Sequence, residues 1–437
     1  AVWGMLAVLA ATSGTRSTNE PAAAPSAPPT DTLVLLDHPS VAHTHSTLLG
    51  LIDAVASAPA DVVVATSPSA SGLERSAGLP PYRNVVLLAP YAHELSGVSV
   101  DQLLSAVDAS AVNVWVAASP GFGGVASAVA DGVGFELDEP HTRVVDYFSE
   151  VSKDDVSIIR TSQFINAPTM IPAGRGSLLF RGVGMVARQS NPLPIEVLRA
   201  ETTAYSYSIA EPITTYPLAV GGSVVLVGAM QARNTARAVV FGSFDMLSDN
   251  FFELSNGTNR QFAADLARWT FTDVAKIRVT SFDIAAAERR KGDTNLSTPI
   301  HAGDLVEVCA TLQLKEALGD EWAPYAAEGV VVEVGQIGEV VSTALLRKQP
   351  TIGGALCTEI RAPLRAGVFS VRLAHHRLGY SYVDKVRQLT VLPRWRVSRL
   401  SVSEVLHYAS TAMVIGSVLT YTVLLLGRPQ DPRPKTD

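Results

Sequence analysis

The stretch LLDHPSVAHTHS, residues 35–46, places Asp37, His38, His43 and His45 within nine positions, a composition that suits a metal centre or a hydrolytic site. A zinc or iron centre needs three protein ligands, each oriented by a further hydrogen bond. His43 and His45 form an HxH pair. Two residues so spaced on a helix point about 200° apart, so they share an ion only where the turn is extended. A loop or helix-cap role, with Thr44 or Ser46 as the cap, accounts for the same residues without a metal. Neither a metal nor a cofactor is expected, and no catalytic residue is assigned. The alternative is an independent hydrolase using Asp37 with His43 or His45 for acid and base work.

Other nucleophilic and phosphate-binding signatures do not occur. The chain has no G-x-S-x-G elbow and no GxxxxGK(S/T) loop, and His93-Glu94-Leu95-Ser96-Gly97 lacks the second histidine of an HExxH zinc helix. Gly121-Phe122-Gly123-Gly124 puts Ala126 where a dinucleotide fingerprint places its last glycine, and reads as a tight turn. Asp245 and Asp249 in FGSFDMLSDNFF read more simply as helix caps than as an acid/base pair. Cys309 and Cys357 are the only cysteines; they either form one disulfide between neighbouring strands or stay separate buried thiols.

The elements that position these residues follow from periodicity. LVLL (33–36), DVVVA (61–65), NVVLLA (84–89) and VNVWVAA (112–118) read as buried strands. THSTLLGLIDAVAS, SVDQLLSAVDAS and GGVASAVADGVG, between them, have helical apolar spacing. This alternation implies an α/β fold with a doubly wound, mainly parallel sheet of the flavodoxin or glutamine-amidotransferase kind. VVLVGAM (224–230) and ARAVVFGS (236–243) extend it, and FAADLARWTF (262–271) is its closing helix. Such sheets bind ligands at the carboxyl ends of their strands, near Asp37 and the turn after Ala118. From about Ile277 the texture changes to short strand-like runs punctuated by Gly, Pro and charge, the pattern of a β-sandwich-like domain.

Composition sets further bounds. In 437 residues with 47% hydrophobic content, the net charge of −7 is spread without a Lys/Arg block, so nucleic acid is not an expected partner. A mean hydropathy of +0.22 directs attention to membrane segments. AVWGMLAVLAA (1–11) resembles the apolar region of a signal peptide, or is part of a flexible Ala/Pro arm. Residues 405–426 lack Asp, Glu, Lys and Arg and as a helix reach roughly 33 Å, enough to cross a ~30 Å hydrocarbon core. The flanking positive charges tie, so orientation follows the leader, with the large part luminal and the tail cytosolic. The expected division is a leader remnant and arm at 1–30, an α/β domain at 31–275 and a β-rich domain at 276–393. A linker at 394–404, a transmembrane helix at 405–426 and a cytosolic tail at 427–437 follow. Asn256-Gly257-Thr258 and Asn295-Leu296-Ser297 are N-glycosylation sequons at a frequency near chance. On the membrane helix Ala409, Ala412, Gly416 and Thr420 form a small-residue stripe that would let another helix approach, or are incidental in an Ala-rich chain.

Several longer strings match one family. LVLLDHPSVAHTHS, SLLFRGVGMVARQSNPLPIEVL, TTAYSYS, LVGAMQARNTARAVVFGSFDMLSDNFF, HRLGYSYV and HYASTAM resemble, in order, the 48 kDa subunit family of the eukaryotic oligosaccharyltransferase. The resemblance implies a single-pass membrane protein of the endoplasmic reticulum, with the bulk of the chain luminal. It implies a non-catalytic subunit of the complex that moves a preassembled glycan from dolichyl diphosphate to Asn in Asn-X-Ser/Thr. Its implied partners are a catalytic multi-spanning subunit, ribophorin-type subunits, small membrane subunits and the lipid around them. The chain departs from the family in Asp108-Ala109-Ser110-Ala111, where a Gly-rich turn is expected, and in a tail whose Arg433 and Lys435 only loosely match a dilysine retrieval signal. A glycan-binding crevice at the sheet's carboxyl end is the alternative role for the α/β domain.

Overall fold

The computed structural model describes residues 31–56, 60–64, 82–95, 99–149, 151, 155–208, 216–287, 299–315, 321–325, 329–336, 338–348, 355–394 and 402–428. The N-terminal arm, Asn295, most of the linker and residues 429–437 lie outside the described residues.

Four of the expected strands form, as Thr32–Leu36, Asp61–Val64, Asn84–Leu88 and Asn113–Ala117, and with Arg237–Phe241 they make a parallel block. Strict alternation sends Val34, Leu36, Val86 and Leu88 to one face and Leu33, Leu35, Val85 and Leu87 to the other. The first face packs on Leu48 and Ile52 of the helix Ser46–Val55 and on Phe262 and Leu266 of the helix Thr258–Phe271. The second packs on the helices Val100–Ser110 and Gly124–Val133. Each buried Leu, Ile or Val in these layers contributes about 1.5–3 kcal/mol by leaving water. Helix Val100–Ser110 starts on a capping box, in which the Ser99 hydroxyl accepts from the Gln102 N–H and the Gln102 side chain accepts from the Ser99 N–H.

The sheet is mixed rather than mainly parallel. Val225–Gln231 returns on Arg237–Phe241 as an antiparallel hairpin whose short turn is closed by Ala232 N–H to Ala236 O, 2.9 Å, and a connection that short permits no parallel crossover. Met185–Ala187, Phe135–Leu137, Pro194–Arg199 and Gln163–Phe164 then join antiparallel, giving ten strands among the described residues.

The strand-rich remainder is two five-stranded sheets around one core that includes Val308, Leu312, Val332, Val371 and Leu389. In Leu305–Leu314 the even-numbered residues Val306, Val308, Ala310, Leu312 and Leu314 point inward. Cys309 therefore points away from this core and stands opposite Cys357 of Leu356–Arg361, to which it is joined by a disulfide with S–S 2.10 Å.

The two parts meet through specific bonds. The Trp269 indole N–H donates to Gly379 O at 2.8 Å, and Ile277 N–H donates to the Ser381 hydroxyl at 2.7 Å. Gly379 has φ 81°, and a Cβ there would overlap Thr169, so glycine is required on both counts. Beyond the sandwich the helix Val402–Leu426 contains an apolar span, Val405–Leu426, of mean hydropathy 1.8, with none of it covered by the rest of the chain.

Candidate functional site

The first strand ends at Leu36, and the Asp37 carboxylate accepts the Tyr91 N–H at 2.9 Å. Burial raises the Asp37 pKa, against the hydrogen bonds from the Tyr91 and Ala92 backbones. The histidines that follow part company. His43 is exposed, whereas His45 is buried, with its ring centroid 4.2 Å from that of Phe244 and its Nε2 3.3 Å from Phe244 O. Burial lowers the His45 pKa more than the Phe244 carbonyl raises it, so the ring is held neutral. The structure does not bring these histidines together as an ion-binding pair. Nor is Thr44 or Ser46 the cap: the Thr44 hydroxyl donates back to Val41 O at 3.2 Å, and the start of Ser46–Val55 is held by the carboxylate of Asp249.

Asp245 and Asp249 likewise do something other than cap their own helix. Ser248 caps Asp249–Leu254, accepting from Phe251 N–H. Asp245 accepts from Arg181 Nε at 2.8 Å, while Arg181 Nη1 reaches Asp155 at 3.4 Å. Burial opposes the Arg181 charge, yet the two carboxylates outweigh it and raise its pKa. This packing depends on glycine: a Cβ on Gly182 would overlap Gly242 O, and the Ser243 hydroxyl donates to Arg181 O at 2.6 Å. The strings FRGVGM and FGSFDMLSD are thus two sides of one contact.

The string QARNTAR is also accounted for residue by residue. Asn234 Nδ2 donates to Val107 O and Asp108 O, at 2.6 and 2.7 Å, closing the carboxyl end of Val100–Ser110. Arg237 is fully buried. Its Nε donates to Gln231 Oε1 at 2.8 Å, its Nη1 to Val274 O at 2.8 Å and to Trp269 O, and its guanidinium lies 4.7 Å from the Trp269 ring centroid. Burial pushes its pKa down to about 9, against the Asp273 charge, so it remains a cation at neutral pH. Its backbone N–H donates to Asn113, Asn113 donates to Asn84, and Asn84 donates to Thr32, a polar rung across the amino ends of four strands. Sequence reading missed this rung; asparagine at the first position of two buried strands was the available signal.

At the opposite, carboxyl end of the sheet lies a cleft of about 730 Å³. Its walls include Tyr91, Ser119 and Gly121 from the loops after two parallel strands, and His141, Arg143, Arg181 and Asp245 from further along the chain. Gly123 holds the two loops together: its N–H donates to Pro90 O at 2.7 Å, and a Cβ on it would overlap Ala92 O. The Gly-rich run is therefore a site of close backbone approach. The Tyr91 hydroxyl shares a 3.0 Å hydrogen bond with that of Ser119. Position after a strand could have pointed to Tyr91 and Ser119, but His141 and Arg143 reach the cleft from a segment with no clear period.

Elsewhere, Asn256 is exposed at φ 52°, and the Thr258 hydroxyl of its sequon donates to Ser177 O and Ser255 O, both at 3.0 Å. Ala409, Ala412, Gly416 and Thr420 are exposed along the apolar helix, and a Cβ on Gly416 would meet nothing within 4 Å. The Thr420 hydroxyl donates to Gly416 O at 2.7 Å, which satisfies it inside the helix. Among the described residues, the one cluster with metal-ligand chemistry is Glu307 with Cys309 and Cys357, whose sulfurs are joined to each other.

The model for the OST48 N-terminal domain matches residues 23–273, and that for the OST48 middle domain matches 301–428. A zebrafish (Danio rerio) protein named dolichyl-diphosphooligosaccharide–protein glycosyltransferase 48 kDa subunit is 29% identical over 90% of this chain and 91% of its own. Its Drosophila melanogaster namesake is 29% identical over 92% of each, and that of Caenorhabditis elegans 27% identical over 80% and 81%. Among solved structures the mmIFT52 N-terminal domain aligns at 12% identity and a TM-score of 0.42, covering 55% of this chain and 97% of that one, too loose a likeness to bear on function. With one family model taking in more than half its length and the second most of the remainder, the chain belongs to the OST48 family.

Proposed function

We propose that this chain is a non-catalytic structural subunit of the oligosaccharyltransferase complex, supporting en bloc transfer of a glycan from dolichyl diphosphate to Asn in Asn-X-Ser/Thr. The observation that carries this reading is the likeness, over 90% of the chain, to relatives named as the 48 kDa subunit. The internal roles of the residues with chemical potential support it as well. Asp37 accepts a backbone N–H, His45 is neutral and packed, and Asp249 caps a helix, so each braces the fold.

In this reading residues 31–275 and 276–393 are luminal domains of an endoplasmic reticulum protein, 405–426 crosses that membrane in contact with its lipid, and 427–437 is cytosolic. The luminal domains order neighbouring subunits: the catalytic multi-spanning subunit, the ribophorin-type subunits and the small membrane subunits. The stripe of Ala409, Ala412, Gly416 and Thr420 receives a partner helix at close range, where lipid supplies no hydrophobic drive for association.

Purification of the full chain in mild detergent tests this, with mass spectrometry of co-purifying proteins and an assay of glycan transfer to an Asn-X-Thr peptide. Recovery with a multi-spanning catalytic subunit and transfer activity, both lost when the chain is isolated alone, is the expected result. A chain that purifies alone and hydrolyses substrate, with activity abolished by Asp37→Asn, would replace this reading with the independent hydrolase.

A further inference from the structure

The strand-rich part has two ends. One meets the α/β unit, where the Ser381 hydroxyl bonds to Ile277 N–H; from there the last strand, Val383–Leu392, runs for ten residues, about 33 Å, to the far end. The chain leaves for the apolar helix from that far end. Val402, the first residue of the helix, follows Leu392 by ten positions, a reach of at most about 35 Å even for a fully extended chain. The far end of the sandwich is therefore held within that distance of any bilayer the helix crosses.

Three Leu–Arg neighbours occupy this end. Leu305, the first residue of Leu305–Leu314, stands opposite Arg361, the last of Leu356–Arg361. Leu364 precedes Arg365 in the loop 362–366, and Leu392 precedes Arg394 by two positions. They converge: Ala302 N–H donates to Leu392 O at 2.9 Å, Gly303 N–H donates to Ala362 O at 3.3 Å, and a Cβ on Gly303 would stand 3.5 Å from Leu364 Cδ2. All six residues are exposed, Leu364 to 86%. Among the described residues none of the three arginines has a carboxylate partner. The nearby Asp304 is taken by the His301 N–H at 2.8 Å, and Glu339, after Val331–Gln336, offsets only part of the positive charge.

The loop 362–366, Ala-Pro-Leu-Arg-Ala, has none of the Asn, Asp, Ser or Gly residues that suit a solvated turn. One exposed leucine is ordinary on a protein surface, but here three share one end and each has a cation beside it. A protein partner fits an apolar centre with a polar rim, and this end is not so divided. A phospholipid surface fits it better: leucine enters the acyl boundary while arginine, on its long stem, stays at the level of the phosphates. We propose that this end of the sandwich rests on the bilayer, with Leu364 inserted and Arg361 and Arg365 on headgroup phosphate, a second membrane contact beside the helix.

The proposal rests on the reading that 405–426 crosses a bilayer, so one experiment follows both. Cys309 and Cys357 are the only cysteines and are joined, so an added cysteine can be labelled alone. The full chain would carry bimane at Ala366→Cys in the loop, at Met413→Cys in the apolar span, or at Asp101→Cys on an exposed face of the α/β unit. Each would be reconstituted in phosphatidylcholine vesicles whose lipid bears a spin label either high on the acyl chain or near its end. Quenching at 366 by the shallow label, at 413 by the deep label and at 101 by neither is the expected result. Leu364→Asp should abolish quenching at 366 and leave that at 413 unchanged. Leu364 is a surface residue, so unchanged thermal unfolding certifies the fold of that variant. Phosphatidylserine in the vesicles should favour the inserted loop by about fivefold per arginine, a gain lost when Arg361→Gln and Arg365→Gln are combined. A loop that stays in water while the span is quenched would overturn the proposal and leave this end to a protein partner. A span that is not quenched would remove the membrane reading beneath it. Quenching at 366 that survives Leu364→Asp, a gain that survives loss of both arginines, or quenching that extends to 101 would overturn the proposal as well.

Discussion

The carboxylate of Asp249 accepts hydrogen bonds from the backbone N–H of Ser46 at 2.9 Å and from its hydroxyl at 2.8 Å, across 203 positions of sequence. It also accepts the Thr47 N–H at 2.9 Å. The helix that follows the first strand is thus started by a residue from the far end of the α/β unit, and two orphan donors of its first turn are satisfied at once.

Asp249→Ala should cost about 1 kcal/mol, the usual size of a helix cap lost at a partly exposed helix start. Thermal unfolding of the full chain in detergent would show this as a fall of roughly 2–4 °C per kcal/mol. Burial raises the Asp249 pKa, but the hydrogen bonds from Thr47 and Ser46 prevail and hold it below 3.8. Its contribution is therefore complete above about that value and is lost as pH falls through the folded pKa. A variant as stable as the parent at neutral pH would show that the cap is dispensable.

Arg237→Leu should destabilise by about 3 kcal/mol or more, because Gln231 and the Val274 and Trp269 carbonyls are left as buried acceptors without a donor, at about 1–3 kcal/mol each. The effect should be less than additive with Gln231→Leu, since the first substitution already breaks the bond that the second removes. Denaturant titration of the single and double variants measures the coupling; strict additivity would mean that the two side chains act independently.

Two buried histidines contribute to the loss of stability in mild acid. Burial lowers the pKa of His45 and of His375, the latter aided by Arg377 and His376, so both are neutral in the fold. Below pH 6.5 the unfolded chain takes up protons that the folded chain does not, and stability falls as pH drops until the folded pKa values are reached. Each histidine adds a slope of up to about 1.4 kcal/mol per pH unit. His45→Gln and His375→Gln should each flatten the decline between about pH 7 and 5; an unchanged profile would assign the acid sensitivity to carboxylates instead.

Gly416→Leu fills a face that has open space around it, and should leave thermal unfolding of the sheet domains unchanged while reducing co-purification of partner membrane subunits several-fold. Gly416→Ala should have a smaller effect. Full recovery of partners with the Leu variant would remove the stripe from consideration as a contact.

The elements with a clear period were legible in the sequence. Leu33 to Leu36 and Val85 to Leu88 are apolar without interruption because both faces of a central strand are covered, and Leu305–Leu314 alternates because only one is. Strands such as Phe135–Leu137 and Met185–Ala187 were not legible. Three residues carry no period, and their pairing is fixed by partners some fifty positions away. The same limit hid the role of Asp249, since a carboxylate before an apolar run reads as the cap of its own helix. The different fates of His43 and His45 were not legible: His43 lies exposed in the short helix Val41–Thr44, whereas His45 sits buried at the break before Ser46–Val55, against Phe244 from 199 positions away. The turn after Ala118 was legible from the sheet rule and lines the cleft, whereas Asp37, expected beside it, is not among the lining residues; Arg143 and His141 were not legible, because they arrive from irregular chain.

The bond from the Trp269 indole to Gly379 O has a consequence for biosynthesis. Its acceptor lies 110 residues after its donor, so at ribosomal speeds of about 5–20 residues per second the indole waits roughly 5–20 s before it can be satisfied. Through that interval the last helix of the α/β unit presents an unfinished surface, and Gly379 is made only 26 positions before Val405, where the apolar span begins. Closure of the junction therefore becomes possible only as the apolar span itself is being made.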